Sequence, residues 1–70
     1  MAELIALQVN GESRQATDGL SLQQLLVELA YEPRLVLVEF NGAIVPRAQW
    51  PDQPVAAGDR LEVVTIVGGG

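Results

Sequence analysis

Between Ala2 and Val9 apolar and polar positions alternate, with Ile5, Leu7 and Val9 on one face and Ala6 and Gln8 on the other. A period of two marks a half-buried strand. Asn10-Gly11 follows, and both residues tolerate the positive φ of a two-residue type I′ hairpin turn. The returning strand, Glu12–Thr17, is mostly polar and suits a sheet edge, where charges discourage pairing with other chains. Asp18-Gly19 then marks a turn. The period changes at Leu22, Leu25, Leu26 and Leu29, which recur at i, i+3, i+4 and i+7 as one apolar helix stripe. Ser21 and Gln24 stand where a capping box needs them. Pro33 forbids helical continuation and biases Glu32 toward extended backbone, so the pattern predicts a helix over 22–31.

Leu35–Phe40 is a dense apolar run with Val36, Val38 and Phe40 in register, and reads as a central strand covered by the helix. Asn41-Gly42 is a second tight turn, and Ala43–Val45 a short return strand. Pro46 has no amide donor and ends that ladder on one side. Residues 47–53 are too short for a stable helix and are expected to make one turn. Trp50 is expected to fold this loop onto the body as a small satellite core, stiffened by Pro51 and Pro54. Tyr31, beside Pro33, is expected to cap the core at the helix end. Ala57-Gly58-Asp59 forms a turn, with Asp59 and Arg60 in turn and surface roles, and Leu61–Val67 is the last strand. Only one sheet face can pack on a single helix. Leu61, Val63, Thr65 and Val67 lie on one face and Val64 and Ile66 on the other; taking Leu61 and Val63 as the inward pair, Val64 and Ile66 are expected outside, in an exposed apolar patch joined by Leu37.

The order is strand, strand, helix, strand, short strand, loop, strand. The hairpin makes the first two strands antiparallel, and a right-handed helical crossover returns the third to the same sheet. The two termini then supply adjacent central strands. This is the α+β class in the β-grasp arrangement: a mixed sheet of about five strands packed on one main helix. A ferredoxin-like fold needs a second full helix, and residues 46–60 hold three prolines and a glycine against one. Residues 1–67 are expected to form a single domain, and 68–70 a flexible glycine tail.

Composition narrows the chemistry. There is no cysteine and no histidine among the 70 residues. Disulfides, thiolate nucleophiles, His-based triads and the usual zinc sites are thereby excluded. The net charge is −5, from nine acids and four arginines at 14, 34, 47 and 60, with no lysine. Scattered arginines offer no basic patch for phosphates, so neither nucleic acid nor an anionic membrane is an expected partner. An acidic surface suits a basic protein partner, or serves solubility alone. No targeting segment or membrane span is apparent, which points to the cytoplasm. Arg47 is read either as a surface ion pair or as a docking contact to a partner acid. Gly68-Gly69-Gly70 cannot build a core, yet a run without Cβ atoms can thread a narrow channel and present a carboxylate away from the folded body.

Four stretches carry a resemblance that spans essentially the whole chain. They are residues 9–12 (Val-Asn-Gly-Glu), the helix segment after Leu20-Ser21-Leu22, residues 41–47 (Asn-Gly-Ala-Ile-Val-Pro-Arg) followed by Trp50, and Gly58-Asp59-Arg60-Leu61-Glu62 leading to the terminal glycines. Together they resemble the ubiquitin-like sulfur carrier proteins of bacterial thiamine (thiazole) biosynthesis. The Val45-Pro46-Arg47 segment combined with the glycines is the more specific part. The small subunit of molybdopterin synthase shares the fold and tail but lacks that segment. A ubiquitin-like module that binds through its sheet face and ignores its C-terminus is the further alternative.

The resemblance implies a carrier, not an enzyme. Gly70 would bear the sulfur, and Gly68, Gly69 and Gly70 would enter partner active sites. An activating enzyme would adenylate the Gly70 carboxylate with ATP and magnesium, a sulfur-donating protein would supply sulfur, and a thiazole synthase would receive it. The C-terminal AMP and thiocarboxylate would be transient, with no cofactor bound by the carrier, which would be a monomer when free. Val64, Ile66, Leu37 and Arg47 are the expected partner interface. None of this chemistry needs a side-chain catalyst on the carrier, in keeping with the missing His and Cys.

Overall fold

The computed structural model describes residues 3–66. The alternation of Ile5, Leu7 and Val9 becomes β1 (Leu4–Val9), with Leu7 and Val9 buried. Asn10 and Gly11 both take positive φ, 53° and 80°, as a type I′ turn requires. The chain returns as β2 (Glu12–Thr17), paired antiparallel with β1 from Leu4↔Thr17 to Val9↔Glu12. The predicted capping box is present at the start of α1 (Leu22–Glu28): the Gln24 N–H donates to Ser21 Oγ and the Ser21 N–H donates to Gln24 Oε1.

α1 ends earlier than the predicted residue 31. Ala30 sits in the left-handed region at φ 68°, and the N–H groups of Ala30 and Tyr31 donate back to the carbonyls of Val27 and Leu26. This is a Schellman closure, with alanine where glycine is usual. Tyr31 packs against the core there, as expected. The helix therefore stops by capping, three residues before Pro33 could break it. Pro33–Leu35 forms a 3₁₀ turn, so the next strand, β3 (Val36–Phe40), starts one residue later than predicted. Asn41 and Gly42 make a second positive-φ turn into β4 (Ala43–Ile44). Val45 lies beyond that strand, although its N–H still donates to the Val38 carbonyl at 3.1 Å. A 3₁₀ segment, Arg47–Asp52, precedes β5 (Arg60–Thr65).

The sheet order is β2-β1-β5-β3-β4. β5 is the middle strand, parallel to β1 and antiparallel to β3. The predicted edge position of β2 and the neighbouring placement of first and last strands both hold. This is the β-grasp arrangement, a mixed five-stranded sheet on one helix. Leu22, Leu25 and Leu26 of α1 are fully buried with Leu7, Val9, Ala16, Val36, Val38, Leu61 and Val63 from the inner sheet face. Trp50 belongs to this main core at 2% exposure, correcting the satellite-core expectation. Its indole N–H donates to the Val45 carbonyl at 2.8 Å, satisfying a donor that burial would otherwise strand. No helix among the described residues is long and apolar enough to cross a membrane.

Candidate functional site

β5 leads from the centre of the sheet toward the glycines, and both Asn-Gly turns hold it. Asn10 uses its side-chain amide on Val63: Oδ1 accepts from the Val63 N–H at 2.7 Å and Nδ2 donates to the Val63 carbonyl at 3.2 Å. Asn41 grips the start of the strand from the other side. Its Oδ1 accepts from the Arg60 N–H at 2.9 Å, and its Nδ2 donates to Asp59 Oδ1 at 3.1 Å. Asp59 Oδ2 in turn accepts from the Ala56 N–H at 2.7 Å, closing the preceding turn around Gly58 at φ 86°. Sequence reading treated both asparagines as turn formers only; the second role has no local signature. Gly68, Gly69 and Gly70, expected to enter partner active sites, lie outside the described residues, as does Val67.

Every second residue of β5 faces away from the helix, as predicted for Val64. Leu37 and Val64 are direct cross-strand partners and are 51% and 58% exposed. Ile66 follows the strand, its N–H bound to the Leu35 carbonyl, and is also exposed. Thr65 is exposed, so the inner series of β5 ends at Val63. Ile44 was missed by the sequence reading. It is opposite Glu39, which is itself opposite Glu62, and at 66% exposure is the most exposed large apolar side chain among the described residues. A two-residue turn at Asn41-Gly42 fixes Phe40 opposite Ala43, so the register already implied that Ile44 shares the outward face of Glu39.

Arg47 stands apart from that face, in the 3₁₀ segment. It makes no ion pair among the described residues; its guanidinium donates to the Arg34 carbonyl at 3.0 Å and lies 5.9 Å from the Trp50 ring centroid. This corrects the ion-pair reading: Arg47 closes the loop over Trp50 through a backbone contact and a cation–π approach. The sole ion pair among the described residues is Arg34–Glu32, at 3.4 Å on the surface. Trp50 itself is inaccessible to a partner. A shallow cleft of about 290 Å³ opens on the outer face between the two Asn-Gly turns, lined by Gln8, Glu39, Arg60 and Glu62 with Gly11 and Gly42 at its ends. It holds two carboxylates and one guanidinium.

The family model described as the ThiS family matches residues 7–70. A thiazole synthase from Paramagnetospirillum magneticum is 41% identical over 64 residues, covering 91% of this chain and 20% of that protein. The chain thus spans about one fifth of that relative. An uncharacterized protein, ycf40, from Porphyra purpurea is 35% identical over 66 residues, covering 94% of this chain and 93% of the relative. Among solved structures, the crystal structure of the thiamine biosynthesis protein ThiS from Geobacter metallireducens superposes with a TM-score of 0.81 at 30% identity. That match covers 94% of this chain and 100% of the other.

Proposed function

This chain belongs to the ThiS family, and on that premise we propose that it is a sulfur carrier for the thiazole of thiamine, with Gly70 as the sulfur-bearing residue. The observation that carries the reading is the family match itself, which runs through residue 70 and so includes all three glycines. A carboxylate is a poor acyl donor because its leaving group would be oxide. Adenylation by an activating enzyme joins the Gly70 carboxylate to AMP and releases pyrophosphate. A sulfide-level sulfur nucleophile then attacks the carbonyl, the new C–S bond forms, and AMP leaves with the electron pair of the broken C–O bond. The product is a thiocarboxylate that a thiazole synthase would consume. ATP and magnesium would be held by the partner enzyme, and the chain is the co-substrate whose carboxylate is adenylated there, in the cytoplasm.

The fold suits this division of labour. β5 is held on one side by β3 and on the other by β1 and Asn10, giving residues 67–70 a fixed point of departure. Small residues at 68–70 let a backbone pass where side chains would clash. Val64, Ile66, Leu37 and Ile44 offer the apolar surface a partner would cover. The relatives named thiazole synthase support that enzyme as one partner.

The test incubates the 70-residue chain with the adenylating enzyme of the same organism, ATP and a sulfide source. Intact mass spectrometry is expected to show one oxygen replaced by sulfur. A chain lacking Gly70 is expected to keep its fold and lose the mass change. Thiocarboxylate appearing at the same rate without Gly70 would refute the assignment.

A further inference from the structure

Carrier chemistry leaves one arrangement on the outer sheet face unexplained. Glu39 of β3 and Glu62 of β5 are direct cross-strand partners, both exposed. Like charges in that relation destabilise a sheet. Neither carboxylate forms an ion pair among the described residues. Arg60 lines the same cleft, two residues back on the same face as Glu62, but is not within ion-pairing distance of either acid. Apolar side chains border the pair on two sides. Leu37 and Val64 form the next outward-facing pair along the strands, and Ile44 lies across from Glu39. A surface tuned for solubility alone scatters its charges in water. Here two uncompensated carboxylates stand beside the exposed apolar residues of the sheet.

Building on the carrier reading, we propose that this face docks the thiazole synthase, which supplies an arginine or lysine between Glu39 and Glu62 while apolar groups cover Leu37, Ile44 and Val64. The charges are complementary only to a cationic partner, and the net charge of −5 adds long-range attraction. Arginine fits best, because a planar guanidinium can meet two carboxylates with separate N–H donors. The synthase is the chosen occupant because two relatives of that name contain a region matching this chain within a protein about five times as long. In such proteins the carrier-like region and the remainder share one polypeptide, which keeps their surfaces at high effective concentration. Repulsion between Glu39 and Glu62 in the free carrier would be relieved on docking, so the pair acts as a specificity element at some cost to stability.

The experiment measures binding of the chain to purified thiazole synthase of the same organism by titration calorimetry at two salt concentrations. The double variant Glu39→Gln/Glu62→Gln is expected to bind about tenfold more weakly, with a flatter salt dependence and an unchanged or higher unfolding midpoint. Arg60→Gln removes the nearest competing cation and is expected to tighten binding. Absence of wild-type binding, unchanged affinity in the double variant, or a lowered midpoint overturns the proposal. Weaker binding on loss of Arg60 does so too. So does an affinity loss confined to the adenylating enzyme. Thiocarboxylate formation, assayed in parallel on the wild-type chain, separates the two readings: if it fails while synthase binding still depends on the pair, the carrier assignment falls and the docking surface stands.

Discussion

The Asn10 side chain holds Val63 by both of its backbone groups, 53 residues away along the chain. A carboxamide has one acceptor oxygen and an N–H donor, like a peptide unit. It therefore takes the ladder position that β1 vacates when the chain turns back at Gly11. Parallel pairing between β1 and β5 covers only Gln8↔Arg60 and Val9↔Leu61, so this clamp lengthens a short junction. Asn10→Gly keeps the positive φ and deletes both bonds. It is expected to cost about 1–3 kcal/mol, read from urea unfolding followed by the fluorescence of Trp50. Unchanged stability would mean that water replaces the clamp without penalty.

Ala30 bears left-handed backbone that glycine adopts freely. An L-residue pays about 1–2 kcal/mol there, and glycine gives part of that back through unfolded-state entropy. Ala30→Gly is expected to stabilise the protein by about 0.5–1 kcal/mol, visible as a higher urea midpoint with the same m-value. A lower midpoint would show that the alanine methyl contributes packing that outweighs the strain.

Trp50 joins the 3₁₀ segment to the core and satisfies the Val45 carbonyl. Trp50→Phe retains an aromatic ring but removes the donor, at an expected cost of about 1–3 kcal/mol. Trp50→Ala is expected to cost about 3–5 kcal/mol, enough to leave a domain of this size partly unfolded at room temperature. Circular dichroism is the measurement, since Trp50 is the only tryptophan. A near-native melting curve for Trp50→Ala would place the loop outside the cooperative core.

Leu37 and Val64 face solvent, so charge at either position should matter to partners more than to folding. Leu37→Asp and Val64→Asp are each expected to cost about 0.5–1 kcal/mol and leave the chain folded, because Asp suits a strand poorly and sets a further carboxylate beside Glu39 and Glu62. Synthase affinity is expected to fall in both. A folded variant that binds the synthase as the wild type does argues against an interface role for its position.

Several elements were legible because their causes are local. The two Asn-Gly turns, the Ser21–Gln24 capping box and the alternation of β1 each follow from sterics or periodicity within a few residues. The helix end was misjudged because Pro33 is a strong breaker, whereas Ala30 carries no signal of left-handed backbone; packing of Tyr31 against the core supports that closure. Ile44 was overlooked because its strand is two residues long, and only the register with Glu39 shows which way it faces.

By itself, then, the order of residues determined the strand and helix segments, the edge character of β2, the exposed side of β5 and the absence of side-chain nucleophiles of the Cys or His kind. Only the tertiary structure decided that Trp50 fills the main core, that Arg47 closes over it instead of pairing with an acid, and that Asn10 and Asn41 secure β5 from opposite sides. Local backbone preferences act within one or two turns of chain. The burial of Trp50 and the side-chain bonds from Asn10 and Asn41 to β5 depend on residues distant in the chain, and those become neighbours only when the sheet has assembled.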